Sequence, residues 1–326
     1  MNEFDLIARY FTRPVSAGGT VLAGIGDDCA RLAAGPAEFT VSTDMLLEGR
    51  HFVAGADPEA LGHKALAVNL SDLAAAGSTP RCFFLALALP AADESWLAAF
   101  AHGLFALADR HGCVLAGGDT TRTPQVRNAP GPLTICITAI GEVPRGAAMN
   151  RAGALVDDDI YVSSAVGDAA LALRAAAGEA ALDFVDAAAV QARLDRPEPR
   201  VALGLALRGL ATSCIDVSDG LLGDLGHLCQ RSSVGAQLDW PALPLSAALR
   251  RQPPEIQQQC ALAGGDDYEL LFTARPDARR EVSAAAARAG TPVARIGRIV
   301  PGSTACVLDA QGKPLSGRFA SFDHFG

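Results

Sequence analysis

"GIGDDCARL", residues 24–32, decides the fold, because two opposed architectures open in this way. Read as G-x-G-x-x-G, it would close the first strand of a doubly wound dinucleotide-binding sheet onto a helix. Cys29 stands where the third glycine should be, and that glycine is the one that lets helix and strand pack closely. The dinucleotide reading is rejected. Read by its acids instead, the stretch sets Asp27 and Asp28 side by side behind two glycines. Like charges repel, so the pair is either an Asx-type surface turn or a turn presenting a carboxylate to a metal ion.

Outward from that point the chain alternates between strand-like and helix-like segments. "EFDLIARYF" reads as a short amphipathic helix and "FTVSTDMLL" (39–47) as a strand, rich in β-branched and apolar residues. Residues 58–76, with Pro58 in the first turn and Gly77 after the end, predict a helix. "CFFLALALP" (82–90) is a strand ended by proline, 93–112 a helix stopped by glycine, "CVLAGGD" (113–119) a strand entering a glycine turn, and 133–143 another strand. "TPQVRNAPGP" (123–132) is a polar loop. After a boundary near 144–157 a second series follows. Its strands are "DIYVSS", "SCIDVSDG", "ELLFTA" and "VARIGRIV"; its helices are "GDAALALRAAAG", "VALGLALRGL", "LLGDLGHLCQRSS" and "DARREVSAAAARAG". Neither half shows strict βαβ alternation. The fold class expected is α+β, in two domains, 1–145 and 146–326.

Composition narrows the function. The chain has 326 residues, half of them hydrophobic, and a net charge of −9. A basic nucleic-acid footprint is therefore unexpected. No apolar run is long enough to span a bilayer, and the N-terminus lacks a signal-peptide core, so a cytoplasmic protein is expected. Lysine occurs only at Lys64 and Lys313, neither in a P-loop setting. The eight cysteines are scattered, with no C-x-x-C pair, which suits reduced thiols better than disulfides or zinc.

The placement of aspartates carries the functional signal. Asp44 ends a strand after Ser42 and Thr43. Asp119 follows Gly117 and Gly118, and Asp216 closes "SCID". Ser218, two residues on, shares a face with Asp216 in extended chain, and Asp219 opens the next helix. Asp72 interrupts the apolar helix "ALAVNLSDLAAAG", where a carboxylate is costly unless paired or bound to a cation. Lys64, eight residues earlier, is a candidate structural partner. Each acid alone has a structural explanation, as strand end or helix cap. Together, Asp28, Asp44, Asp72, Asp119, Asp216 and Asp219 form an oxygen-only set that suits a hard cation such as Mg²⁺. Several such ions imply a polyanionic ligand, for which a nucleoside triphosphate is the natural candidate, and metal-assisted phosphoryl transfer. "GGDDYELLF" (264–272) is either a hairpin turn or a substrate contact through Asp266. His51 either packs beside a strand or binds a substrate phosphate. The tail "FASFDHFG" either tucks onto the core or offers an aromatic face to a substrate ring.

At these residues the sequence resembles the thiamine-monophosphate kinases, of the superfamily that includes aminoimidazole ribonucleotide synthetase and selenophosphate synthetase. The matching segments are "GIGDDCA", "STDMLLEGRHF", "KALAVNLSDLAAAG", "GGDTTR", "RPEPR", "IDVSDGLLGDLGHL", "GGDDYEL" and "FDHF", in order along the whole chain. The resemblance implies the aminoimidazole ribonucleotide synthetase-like fold, a homodimer joined through the N-terminal sheets, and conversion of ATP and thiamine monophosphate to ADP and thiamine diphosphate. It implies Mg²⁺ ligands at Asp28, Ser42, Thr43, Asp44, Asp72, Asp119, Asp216 and Asp219. It implies ATP contacts at Gly118, Asp119, Arg151 and Ser218, and thiamine phosphate contacts at His51, Asp266 and Phe322. It implies direct in-line transfer, with no side chain as general base. Two departures stand out: Asp266 replaces the family's more usual Glu, and Phe322 its more usual Tyr or Trp. The alternatives are a ribonucleotide cyclo-ligase of the same superfamily, against which "GGDDYEL…FDHF" argues, or a non-catalytic Mg-nucleotide-binding regulator.

Overall fold

The computed structural model describes residues 21–23, 27–125, 131–317 and 319. The expected helix at "EFDLIARYF" and the tail bearing Phe322 lie outside the described residues, as does part of the loop at 123–132.

Two six-stranded sheets form the frame. The first comprises β1 (Val21–Ala23), β2 (Ala30–Ala34), β3 (Ala37–Leu47), β4 (Thr79–Leu89), β5 (Val114–Arg122) and β6 (Thr134–Pro144), in the order β1-β2-β3-β6-β4-β5. It carries helices α1 (Pro58–Ala75) and α2 (Glu94–His111). The second comprises β7 (Asp159–Ser163), β8 (Ala211–Asp216), β9 (Gly235–Asp239), β10 (Leu270–Ala274), β11 (Val293–Val300) and β12 (Ala305–Leu308), in the order β12-β9-β11-β7-β10-β8. Its helices are α3 (Asp168–Ala176), α4 (Phe184–Asp195), α5 (Val201–Leu207), α6 (Leu221–Ser232), α7 (Ala247–Arg250), α8 (Pro254–Ala263) and α9 (Arg279–Ala289). Pairing is antiparallel except at β4–β5 and β9–β12, in keeping with the α+β expectation.

Helix α1 holds the two sheets together. Asp57 caps it, accepting the Ala60 amide at 2.7 Å, and Pro58 fits its first turn, where no backbone donor is needed. Fifteen of its 18 residues are buried, because it packs on α2 and β6 on one side and on α5 and β8 on the other. One apolar core accordingly runs from Leu66, Leu70 and Phe83 to Leu203 and Phe272. α1 and α2 cross so closely that a Cβ on Gly103 would lie 1.8 Å from the Glu59 carbonyl oxygen. The glycine at this crossing is a packing requirement.

Two expectations are corrected here. β5 continues through Gly117 and Gly118 to Arg122 instead of turning at the glycines. "GGDDYELLF" is not a hairpin: it links α8 to β10, and the Asp266 and Tyr268 amides bond the Ser218 and Val217 carbonyls, each at 2.8 Å. The sequence pattern does not single out helices α4, α7 and α8 or strands β1, β2, β9 and β12; α4 buries only Asp186 and Val190, so it displays no apolar stripe. All eight cysteines are free thiols, buried or half-buried except the exposed Cys306.

Candidate active site

The site is built where β3, α1 and the end of β8 meet. β3 alternates, with Thr40, Ser42 and Leu46 buried and Phe39 and Met45 exposed, so Ser42 and Asp44 share the inner face. There Ser42 donates to Asp72 Oδ2 on α1. Ser71, the preceding residue of α1, donates to Asp216 Oδ2 at the end of β8 (2.6 Å). Asp28 arrives from the turn before β2. Its carboxylate receives two bonds from Arg151, Nε to Oδ2 and Nη2 to Oδ1, each 3.1 Å. Asp27 instead accepts the Arg151 backbone amide (2.8 Å). The opening pair thus divides into a structural Asp27 and a site-facing Asp28. Carboxylate oxygens of Asp28, Asp72 and Asp216 lie within 4.8 Å of one another.

A further acid shapes the loop after β8. Buried Asp224, in the first turn of α6, reaches back with Oδ2 to the amides of Ser218, Asp219 and Gly220 at 3.1–3.2 Å. Gly220 is the residue that caps the helix, and Ser218 and Asp219 precede it in the loop. The side chain therefore holds the loop that carries Ser218 and Asp219.

Electrostatics sets this cluster apart from ordinary ion pairs. Burial, with Asp28 and Asp219 adding repulsion, pushes the Asp44 carboxyl up to about 6 against a hydrogen bond shared with Asp72. Burial and the charges of Asp44, Asp216 and Asp28 raise Asp72 well above the usual carboxylate range. Burial and Asp28 do the same to Asp216. Arg151 is opposed by burial, yet Asp28 beside it holds the guanidinium firmly protonated. Among the described side chains, Asp44 Oδ2 is buried with no hydrogen-bond partner. Crowded carboxylates, an orphaned oxygen and an all-oxygen donor set fit a hard divalent cation.

Two cavities meet at these acids. One, of about 530 Å³, is lined on its apolar side by Leu46, Leu47, Val68, Leu173 and Tyr268, and also by Arg50, His51 and Asp266. The other, of about 300 Å³, is polar and bears Asp28, Arg151, Asp224 and His227. Asp44, Asp72, Asp216, Ser218 and Asp219 border both. His51 Nδ1 accepts the Leu47 amide at 3.0 Å, so in the neutral ring Nε2 carries the proton.

Several expected residues sit elsewhere. Thr43 borders both cavities, but its hydroxyl is on the outer face of the sheet, 2.9 Å from Thr138 Oγ1. Only its backbone is available to an inner-face cation, because strand side chains alternate. Asp119 is exposed on the edge strand β5 and borders neither cavity. The register Asp44–Ile137–Leu85–Gly118 puts its neighbour three strands from Asp44, roughly 14 Å at the usual strand spacing. In one chain, neither Gly118 nor Asp119 can share an ion with Asp44. Lys64 does not pair with Asp72; its Nζ is 2.9 Å from Asp266 Oδ2. Arg50, Tyr268, Asp224 and His227 were unread. Of these, only Asp224 had a local signal, an acid in the first turn of an uncapped helix.

Comparison with known proteins places the chain in a family. Residues 26–143 match the family "AIR synthase related protein, N-terminal domain" and residues 156–308 its C-terminal counterpart, so the chain is an AIR synthase related protein of two such domains. The curated thiamine-monophosphate kinase of Escherichia coli (strain K12) is 43% identical over 326 residues, covering 99% of this chain and 98% of that protein. The chain belongs to the thiamine-monophosphate kinases. A crystal structure of the kinase from Stenotrophomonas maltophilia K279a superposes with a TM-score of 0.79 at 45% identity, over 92% of this chain and 93% of that one. AaThiL complexed with AMPPCP and TMP superposes with a TM-score of 0.81 at 30% identity, over 99% and 97%.

Proposed function

We infer that the chain transfers the γ-phosphoryl group of ATP to the phosphate of thiamine monophosphate, giving ADP and thiamine diphosphate. One observation carries this reading: a carboxylate cluster stands between a polar cavity and a larger, partly apolar one. Some of the residues implied for ATP and for the acceptor sort accordingly, while Gly118 and Asp119 border neither cavity. Arg151 borders the polar cavity, His51 and Asp266 the apolar one, and Ser218 both. AaThiL in complex with AMPPCP, the β,γ-methylene counterpart of ATP, and TMP supports the same pair of ligands.

Asp28, Asp44, Asp72, Asp216 and Asp219, with Ser42 and the Thr43 backbone, would hold Mg²⁺. When bound, the ion would neutralise the phosphates and the acids together. Asp119 and Gly118 would serve only a distant part of the polyphosphate and its ions, or a site completed by a second copy. The apolar wall would seat the thiamine rings, with Phe322 as a further aromatic contact. His51 would donate to the substrate phosphate. A substrate phosphate oxygen would attack γ-phosphorus in line as the bond to the β–γ bridging oxygen breaks, so no general base is required. Residues 1–145 would supply most of the metal ligands, and 146–326 would complete the cleft.

The enzyme would act in the cytoplasm, free of nucleic acid and membrane; no described helix is long and apolar enough to cross a membrane. It would be a homodimer through the outer face of the first sheet, where Phe39, Met45 and Phe84 are exposed. Sedimentation at a single-chain mass would refute the dimer. Product analysis by mass spectrometry, with ATP, MgCl₂ and thiamine monophosphate each omitted in turn, tests the reaction. Thiamine diphosphate should appear one-for-one with ADP, and only in the complete mixture. ATP turnover without it would point to another acceptor, and ATP binding without turnover to a regulator.

A further inference from the structure

Lys64 is one of two lysines in the chain. It is only 5% exposed and borders neither cavity. With Val68 and Asp72 it forms an i, i+4, i+8 stripe along α1; the other two face the larger cavity, and Lys64 lies a turn further back. Its Nζ reaches Asp266 Oδ2 at 2.9 Å, while the Tyr268 hydroxyl donates to Asp266 Oδ1 at 3.0 Å. Both oxygens of Asp266, the acid of the acceptor-side wall that lies outside the carboxylate cluster, are thus engaged. Asp266 and Tyr268 also hold φ of +67° and +51°, a region that costs a non-glycine residue on the order of 1 kcal/mol. Their amides are tied to the strand end that carries Asp216 and Ser218.

Stability does not account for this lysine. Burying an ammonium costs desolvation that a pair with a partly exposed partner, here 28% exposed at its side chain, does not repay well. Geometry does account for it. Asp266 has one methylene fewer than Glu and two rotatable side-chain torsions. A donor on each oxygen leaves its carboxylate a single orientation toward the cavity. The ammonium also balances the acid's charge, so Asp266 meets a ligand as a directed hydrogen-bond acceptor and not as an uncompensated anion.

We propose that Lys64 is a positioning residue that acts through Asp266 to fix the hydrogen-bond acceptor recognising the N–H-bearing ring of the phosphate acceptor. This rests on the thiamine monophosphate reading above. The test is a double-mutant cycle on KM for thiamine monophosphate and for ATP, with Lys64→Met, Asp266→Asn and the double variant, each also titrated calorimetrically with thiamine monophosphate alone. Lys64→Met should raise KM and Kd for thiamine monophosphate about tenfold, the size of one lost charge-assisted hydrogen bond. KM for ATP should stay within about twofold, and kcat should fall by less than KM rises. In the Asp266→Asn background, Lys64→Met should add nothing further. An unchanged KM for thiamine monophosphate, equal shifts for both substrates, or an undiminished effect in that background would each overturn the proposal. If Lys64→Met does not fold, Lys64→Leu, which likewise removes the donor and the charge, takes its place in the cycle under the same criteria. A wild-type protein that makes no thiamine diphosphate would instead overturn the functional reading.

Discussion

At the scale of single residues, the carboxylates of the cluster are placed against their own stability. Asp44 is held up to about 6 by burial, so its ionised form at pH 8 opposes folding by about 3 kcal/mol when no cation is present. An amide at this position removes that charge while keeping the shape. Asp44→Asn and Asp72→Asn should therefore melt no lower than wild type in EDTA, and Asp44→Asn higher. With MgCl₂ and both substrates, turnover should fall by about a hundredfold or more. Calorimetry and product assay on the same preparations check both halves. Near-normal turnover in both variants would remove these acids from the metal set.

At the scale of elements, α1 is both frame and ligand bearer. Asp72 and Ser71 reach the site only because the helix is clamped between α2, β6 and α5. The α1–α2 crossing leaves no room for a methyl group at Gly103, whose Cβ would lie 1.8 Å from the Glu59 carbonyl oxygen. Gly103→Ala should force the helices apart and lower stability by about 1–3 kcal/mol, read as a shift of the urea midpoint at constant m-value. A midpoint equal to wild type would mean that the crossing is looser than its geometry. Asp224 has a comparable role for the loop after β8, where one carboxylate oxygen serves three amides.

At the scale of the whole molecule, the cluster links pH, cation and stability. Asp44, Asp72 and Asp216 all have folded pKa values raised above the ordinary carboxylate value. Between the unfolded and the raised values the native state binds more protons, so metal-free stability falls as pH rises through that window. For Asp44 the window runs from the ordinary carboxyl value of 3.8 to about 6. A cation must displace these protons, so it binds better once they have left. Metal-free protein should melt several degrees lower at pH 8 than at pH 5.5, and MgCl₂ should raise the melting temperature more at pH 8. Equal Mg²⁺ stabilisation at both pH values would contradict a protonated resting cluster.

Much of this was legible in the sequence, for local reasons. Alternation located β3, a proline in the first turn and a glycine after the end located α1, and the partial G-x-G-x-x-G with Cys29 in the wrong place excluded a dinucleotide sheet. Acids at strand ends and on an apolar helix announced a cluster, because an unpaired carboxylate among apolar residues calls for a cation or a partner. Three-dimensional proximity was not legible. The face taken by Thr43, the roughly 14 Å between Asp119 and Asp44, and the choice of Asp266 over Asp72 as the partner of Lys64 depend on how the two sheets close over α1. The same holds for Arg50 and His227, which have meaning only as walls of a cavity. Sequence alone was enough for most of the elements, the donor chemistry and the family, since these follow from local periodicity, side-chain type and motif order. The tertiary structure alone decided which of those donors meet, because contacts between residues over a hundred positions apart are set by packing and not by spacing.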